Sequence, residues 1–170
     1  TGEVVKVVHD HEKAINSMSF SNDQSHFVTA STDHTSRVYD TETLECLSVF
    51  ETGRPCNSAA ISPRMPHVVL GGGQPAESVT TRGRDTAQFK LRFFHKIFER
   101  EVANIAGHFG PINCVAFSPD GSNFCSGGED GYVRLHHLDS TYFDDLVDEK
   151  IFPRKEIDQM TPEEQDFFRD

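Results

Sequence analysis

One pattern of intervals occurs twice in this chain and constrains its fold more than any other feature. His11 stands 22 positions before Asp33, and His108 stands 22 positions before Asp130. Thr29 precedes Asp33 by four, as Ser126 precedes Asp130, and Asp33 precedes Tyr39 by six, as Asp130 precedes His136. Three intervals repeated in one order mark an internal repeat, which decides the architecture before any local assignment. Within each copy the apolar residues fall in short runs. Ile15, Met18 and Phe20 form one, and Ile112, Cys114 and Ala116 form its counterpart. Each run ends in turn-forming residues, Ser21-Asn22-Asp23 and Ser118-Pro119-Asp120-Gly121. A further strand-like run at 46–50 leads out of the first copy. Each copy thus reads as a four-stranded antiparallel sheet of about 40 residues.

A third, weaker unit lies between the two. Residues 56–61 suit an inner strand, Ser62-Pro63 a turn, and 67–70 a second strand that ends in Gly71-Gly72-Gly73. Residues 74–87 are polar and aperiodic and read as an inserted loop. Alternating apolar residues resume at 89–94 and again at 102–105. This unit has neither the histidine nor the aspartate of its neighbours. The expected architecture is all-β, a WD40 β-propeller segment over 1–140. It comprises a leading strand at Glu3-Val4-Val5-Lys6-Val7-Val8 and about three four-stranded blades. From 141 to 170 the sequence turns acidic. There Thr161-Pro162-Glu163-Glu164 has a capping threonine, a proline at the first helical position and a glutamate three after the cap, predicting a short helix over 162–169.

Composition narrows the function. The chain of 170 residues has a net charge of −11, where a general polyanion binder presents a basic surface. Sequence-specific nucleic-acid binding is not expected, and RNA contact is confined to a local patch. The basic clusters at 82–84 and 90–92 are small. No apolar run reaches the length of a membrane span, so no membrane partner is expected. Cys46, Cys56, Cys114 and Cys125 form no Cys-x-x-Cys pair and read as reduced thiols of a cytoplasmic protein.

His11, Thr29 and Asp33 have the residue types of a catalytic triad, as do His108, Ser126 and Asp130. Their recurrence at one spacing favours a structural reading. In a propeller blade such residues form a buried hydrogen-bond chain that an aromatic residue completes, here Tyr39 or His136, and the chain stabilises only if every member is satisfied. The pairs His9/His11 and His136/His137 lack a further ligand at zinc spacing, and strand neighbours point to opposite faces. Gly71-Gly72-Gly73 has no Gly-Lys-Ser/Thr sequel and reads as a tight bend or bulge. No metal, cofactor or catalytic residue is expected, and the chain reads as no enzyme.

Several segments resemble one family of translation factors. They are Val69-Leu70-Gly71-Gly72-Gly73-Gln74, Arg92-Phe93-Phe94-His95-Lys96-Ile97-Phe98-Glu99, Gly107-His108-Phe109-Gly110-Pro111-Ile112-Asn113 and the run from Ser126 to His137. The likeness extends from about Glu3 to about Phe143 and is to the subunit I family of eukaryotic translation initiation factor three. It implies the C-terminal half of a seven-bladed propeller. It also implies a noncatalytic scaffold that docks subunits b and g of that factor on the small ribosomal subunit. A helix of subunit b would lie against blades in this half, at positions that look like Ser17 and Asp33. The alternative class is a peptide-binding adaptor, such as a ubiquitin-ligase substrate receptor. It would present a basic or aromatic pocket at the propeller's pore.

Overall fold

A computed structural model describes residues 2–73 and 89–144. In the first sheet β1 (Ile15–Phe20), β2 (His26–Ser31), β3 (Thr35–Asp40) and β4 (Cys46–Glu51) lie antiparallel in chain order. The second repeats this order with β5 (Cys56–Ile61), β6 (His67–Gly72), β7 (Lys90–His95) and β8 (Glu101–Ala106). The third holds β9 (Ile112–Phe117), β10 (Asn123–Gly128) and β11 (Val133–His137). A short helix, α1 (Ser140–Asp144), follows. The chain divides into two compact units, Thr1–His137 and Leu138–Asp170.

Two expectations are corrected. The third sheet has three described strands, not four. The residues after β11 lack strand alternation, and Asp139 caps a helix instead: its carboxylate accepts from the Tyr142 amide at 3.2 Å and from the Thr141 hydroxyl. The run at 3–8 forms no described strand. Its valines, among them Val4 at 78% and Val5 at 98% exposure, meet no described strand edge with which to build a ladder. The insertion at 74–87 and the helix expected over 162–169 lie outside the described residues.

The repeat extends to the atoms of its turns. Asp23 accepts from the Ser21 and Ser25 hydroxyls at 2.6 and 2.8 Å, and Asp120 accepts from those of Ser118 and Ser122 at 2.5 and 2.6 Å. The next residue in each turn adopts the left-handed conformation, with φ 61° at Gln24 and 68° at Gly121. Glycine takes that conformation freely, and a residue with a Cβ does not.

The inner strands carry the packing between sheets. β5 lies against β1 and β2, and β9 lies against β5 and β6. The core cluster accordingly joins the first two sheets and includes Val28, Val38 and Phe50 from one, and Cys56, Leu70 and Phe94 from the other. Sandwiched on both faces, β5 and β6 read as nearly continuous small and apolar residues, whereas β1 exposes Ile15, Met18 and Phe20 by more than half. The glycine run permits this packing. A Cβ on Gly71 would stand 2.7 Å from Cγ2 of Ile112 and 2.9 Å from Cγ2 of Val115, both on β9. The bulge is not in the glycine run: the β5–β6 register shifts on β5, between Cys56 and Ser58, as the inner strands β1 and β9 shift in their own sheets.

Asparagines tie each inner strand to the next. Asn16 donates to the Cys56 carbonyl at 2.9 Å, and Asn57 to the Ile112 carbonyl at 3.2 Å. At the outer edge, the Glu99 carboxylate accepts the Val49 amide of β4 at 2.6 Å, which covers part of an open strand edge.

Candidate functional site

Both repeated constellations assemble. In the first sheet, Nδ1 of His11 lies 2.7 Å from Asp33 Oδ2, and Nε2 lies 2.7 Å from Thr29 Oγ1. In the third, Nδ1 of His108 lies 3.0 Å from Asp130 Oδ2, and Nε2 lies 2.8 Å from Ser126 Oγ. The loop before the inner strand supplies the histidine, the second strand the hydroxyl, and the turn before the third strand the carboxylate. Three elements of one sheet are thereby joined.

This is the connectivity of a hydrolytic triad, but the hydroxyls are shut in. Thr29 is 3% and Ser126 1% exposed, so no substrate carbonyl can approach either oxygen. The carboxylates are equally committed. Burial works to raise the Asp33 carboxyl's pKa. Hydrogen bonds from the Thr35 hydroxyl, His11 and the Thr35 and Glu12 amides override it, and the group sits well below the usual carboxylate range. Asp130 is held low against the same opposing effect of burial. The Phe109 amide, His108, the Tyr132 amide and Arg134 all donate to it.

The fourth member differs between the two. His136 stacks on Phe124 at 4.5 Å and places Nε2 3.4 Å from Ser126 Oγ, completing its chain. Tyr39 does not join Thr29, contrary to expectation. Its ring stacks on Phe27 at 5.1 Å and its hydroxyl meets Asp10, while the Thr29 hydroxyl donates to the Arg37 carbonyl at 3.3 Å.

The second sheet substitutes apolar packing at these places. Leu70 occupies the hydroxyl position and Phe94 the aromatic one, both nearly inaccessible. Thr52 stands where the histidine would be. Below them lie two buried histidines, His67 and His95, whose rings meet edge to face at 5.7 Å. Burial lowers the pKa of His67 to about 4, and burial, with His67 and Lys96 nearby, lowers that of His95 to about 3.

The two positions carried over as partner contacts fare differently. Ser17 is partly exposed on β1, beside the register shift between Ile15 and Ser17. The Asp33 side chain is only 4% exposed and both its oxygens are engaged, so it shapes the rim on which Glu12 stands exposed. The asparagines Asn16 and Asn57 are absent from the sequence-level reading. Their signal was a polar residue at the second place of each inner strand, which recurs at Asn113. Among the described residues no three histidine, cysteine or acidic side chains stand close enough to hold a metal ion. His136 turns toward Ser126 and His137 toward Asn123, so the two do not converge. No disulfide joins the four cysteines, and burial pushes the Cys56 thiol up to about 12.

Comparison with known proteins agrees with this geometry. The family described as "WD domain, G-beta repeat" matches residues 2–40 and 99–137, which contain the two histidine–aspartate chains. The chain is 52% identical over 148 residues to eukaryotic translation initiation factor 3 subunit I of Bombyx mori, covering 87% of this chain and 45% of that relative. It is 53% identical over 144 residues to the subunit I protein of Danio rerio, covering 85% and 44%. With that of Drosophila willistoni it is 55% identical over 139 residues, covering 82% and 43%. The chain thus spans a little under half the length of these curated relatives. A match of 139 residues in a chain of 170 cannot avoid β5 to β7 of the middle sheet, which the general repeat family skips. The chain therefore carries WD40 repeats and is homologous to subunit I of eukaryotic translation initiation factor 3.

Proposed function

We infer that this chain is part of a noncatalytic scaffold subunit of the translation initiation factor 3 complex. In this reading it holds subunits b and g in the initiation complex on the small ribosomal subunit, in the cytoplasm. One observation carries it: the likeness to subunit I runs through the middle sheet, where the histidine–aspartate chain is replaced by Leu70 and Phe94. The general repeat accounts for a propeller; it does not account for that departure.

The structure suits the task physically. Each outer blade is fixed by a satisfied buried polar chain, and a rigid blade presents its loops without an ordering cost on binding. The docking rim assigned here is the partly exposed Ser17 and the loop that Asp33 holds in place, with Glu12 in front of it. A net charge of −11 suits a basic helix on that rim.

The test is a pair of substitutions in the intact protein, Ser17→Arg, which adds a positive charge, and Glu12→Lys, which reverses a negative one, followed by affinity purification and quantitative mass spectrometry. Recovery of subunit b is expected to fall about tenfold with an unchanged melting temperature. Undiminished recovery of both b and g would place the docking rim elsewhere.

A further inference from the structure

The middle blade is missing more than a hydrogen-bond chain. His11 and His108 each stand four residues before an inner strand, and their imidazoles fill the end of their sheets. Thr52 holds that place before β5, and its shorter side chain turns to the carbonyls of His34 and Arg54. The adjoining end of β6 consists of glycines that add no side chain. A cavity of about 220 Å³ opens there, floored by Cys56, Leu70 and Gly71. Its wall carries Arg54, Lys90 and Arg92 against one acid, Glu101.

These cations are not equivalent. Arg92 is committed, donating to both Glu101 (2.9 and 2.6 Å, to Oε2) and the Thr52 carbonyl at 2.7 Å. The side chains of Arg54 and Lys90 make no hydrogen bond or ion pair among the described residues. Two uncompensated positive charges thus face one small cavity in a chain of net charge −11. The third blade shows what such a place accepts. Arg134, at the strand position of Arg92, donates to the carboxylate of Asp130 at 3.0 Å.

We propose that this cavity receives a carboxylate side chain from an acidic segment of a partner protein, with Arg54 and Lys90 as its charge partners. The proposal goes beyond the scaffold reading above, whose docking rim is acidic and lies on the first blade. The cavity is smaller than the roughly 300–1,000 Å³ of sites that enclose a drug-sized ligand, so it takes one side chain. Nucleic acid is disfavoured because its affinity rests on releasing counterions along an extended basic track, and two charges are no track.

The experiment measures fluorescence anisotropy of the intact protein with a short fluorescein-labelled peptide of alternating glutamate and alanine. Binding is expected, weakening as salt is added. Arg54→Glu with Lys90→Glu is expected to raise Kd by about tenfold or more at an unchanged melting temperature. Arg54→Lys with Lys90→Arg is expected to retain the affinity. Failure of the wild-type protein to bind, or equal binding by the reversed variant, overturns the proposal. Tighter binding of a labelled oligouridine, lost in the same variant, overturns it in favour of nucleic acid. None of these outcomes alters the recovery of subunits b and g, which tests the scaffold reading separately.

Discussion

Ser126 and Thr29 show how residue type alone misleads and spacing corrects it. Each hydroxyl bonds a histidine that in turn bonds an aspartate, as a nucleophile would, yet each is almost wholly buried and the set occurs twice. Replacing Ser126 by alanine leaves Nε2 of His108 without its partner. Urea denaturation of the intact protein should show a loss of about 1–3 kcal/mol. Unchanged stability would contradict the structural role. The repeat provides a second, internally controlled comparison. Gln24 and Gly121 hold the same left-handed place, but only glycine does so without strain. Gln24→Gly is expected to stabilise by about 0.5–1 kcal/mol, and Gly121→Ala to destabilise by at least as much. Equal effects of one sign from both would refute the equivalence of the turns. The histidine–hydroxyl–aspartate chains were legible because their intervals repeat. That Tyr39 would turn away to Asp10 was not, because an aromatic at the right place does not fix where its hydroxyl points.

At the scale of elements, the middle blade was the harder to read and proves the most buried. Its continuous apolar strands and its glycine run were visible in sequence, but the reason for Gly71 lies in β9, more than 40 positions on in the chain, and that for Gly72 in the Pro55 carbonyl before β5. Gly71→Ala is expected to cost about 1–3 kcal/mol through overpacking against Ile112 and Val115, measured by thermal denaturation. A neutral result would mean that β9 does not lie against β6. The incomplete third sheet was not legible, because a repeat invites the assumption that each copy is whole. Only the cap at Asp139 tells that the chain turns helical after His137. The asparagine ties could have been found by aligning inner strands, since a polar side chain at one repeated place needs a repeated partner.

For the whole molecule, acid should act first through the buried histidines. His67 and His95 bind a proton less readily folded than unfolded, so the unfolded chain holds more protons between about pH 6.5 and pH 4, and stability falls as pH falls through that window. Backbone amides of Ile97 and Phe98 point at Nδ1 of His95 at 3.3 Å, which fixes that nitrogen as an acceptor. From pH 7 to pH 5 the loss through His67 is about 2 kcal/mol, and His67→Gln should flatten the slope of melting temperature against pH. A slope that the variant leaves unchanged would clear His67 of the acid sensitivity, which the low-pKa carboxylates do not supply in this window. Those stabilise above their ordinary pKa and lose that contribution only at still lower pH. The repeat was enough to read a WD40 propeller from sequence. The identity of its partners was not, because docking surfaces depend on how loops from different blades meet. The central claim is most directly tested by affinity purification of the intact protein from cells at near-physiological salt. Initiation factor 3 subunits, b and g among them, and small-ribosomal-subunit proteins are expected to be recovered with it. Recovery of a ubiquitin-ligase assembly in their place, or of none of them, would contradict the account.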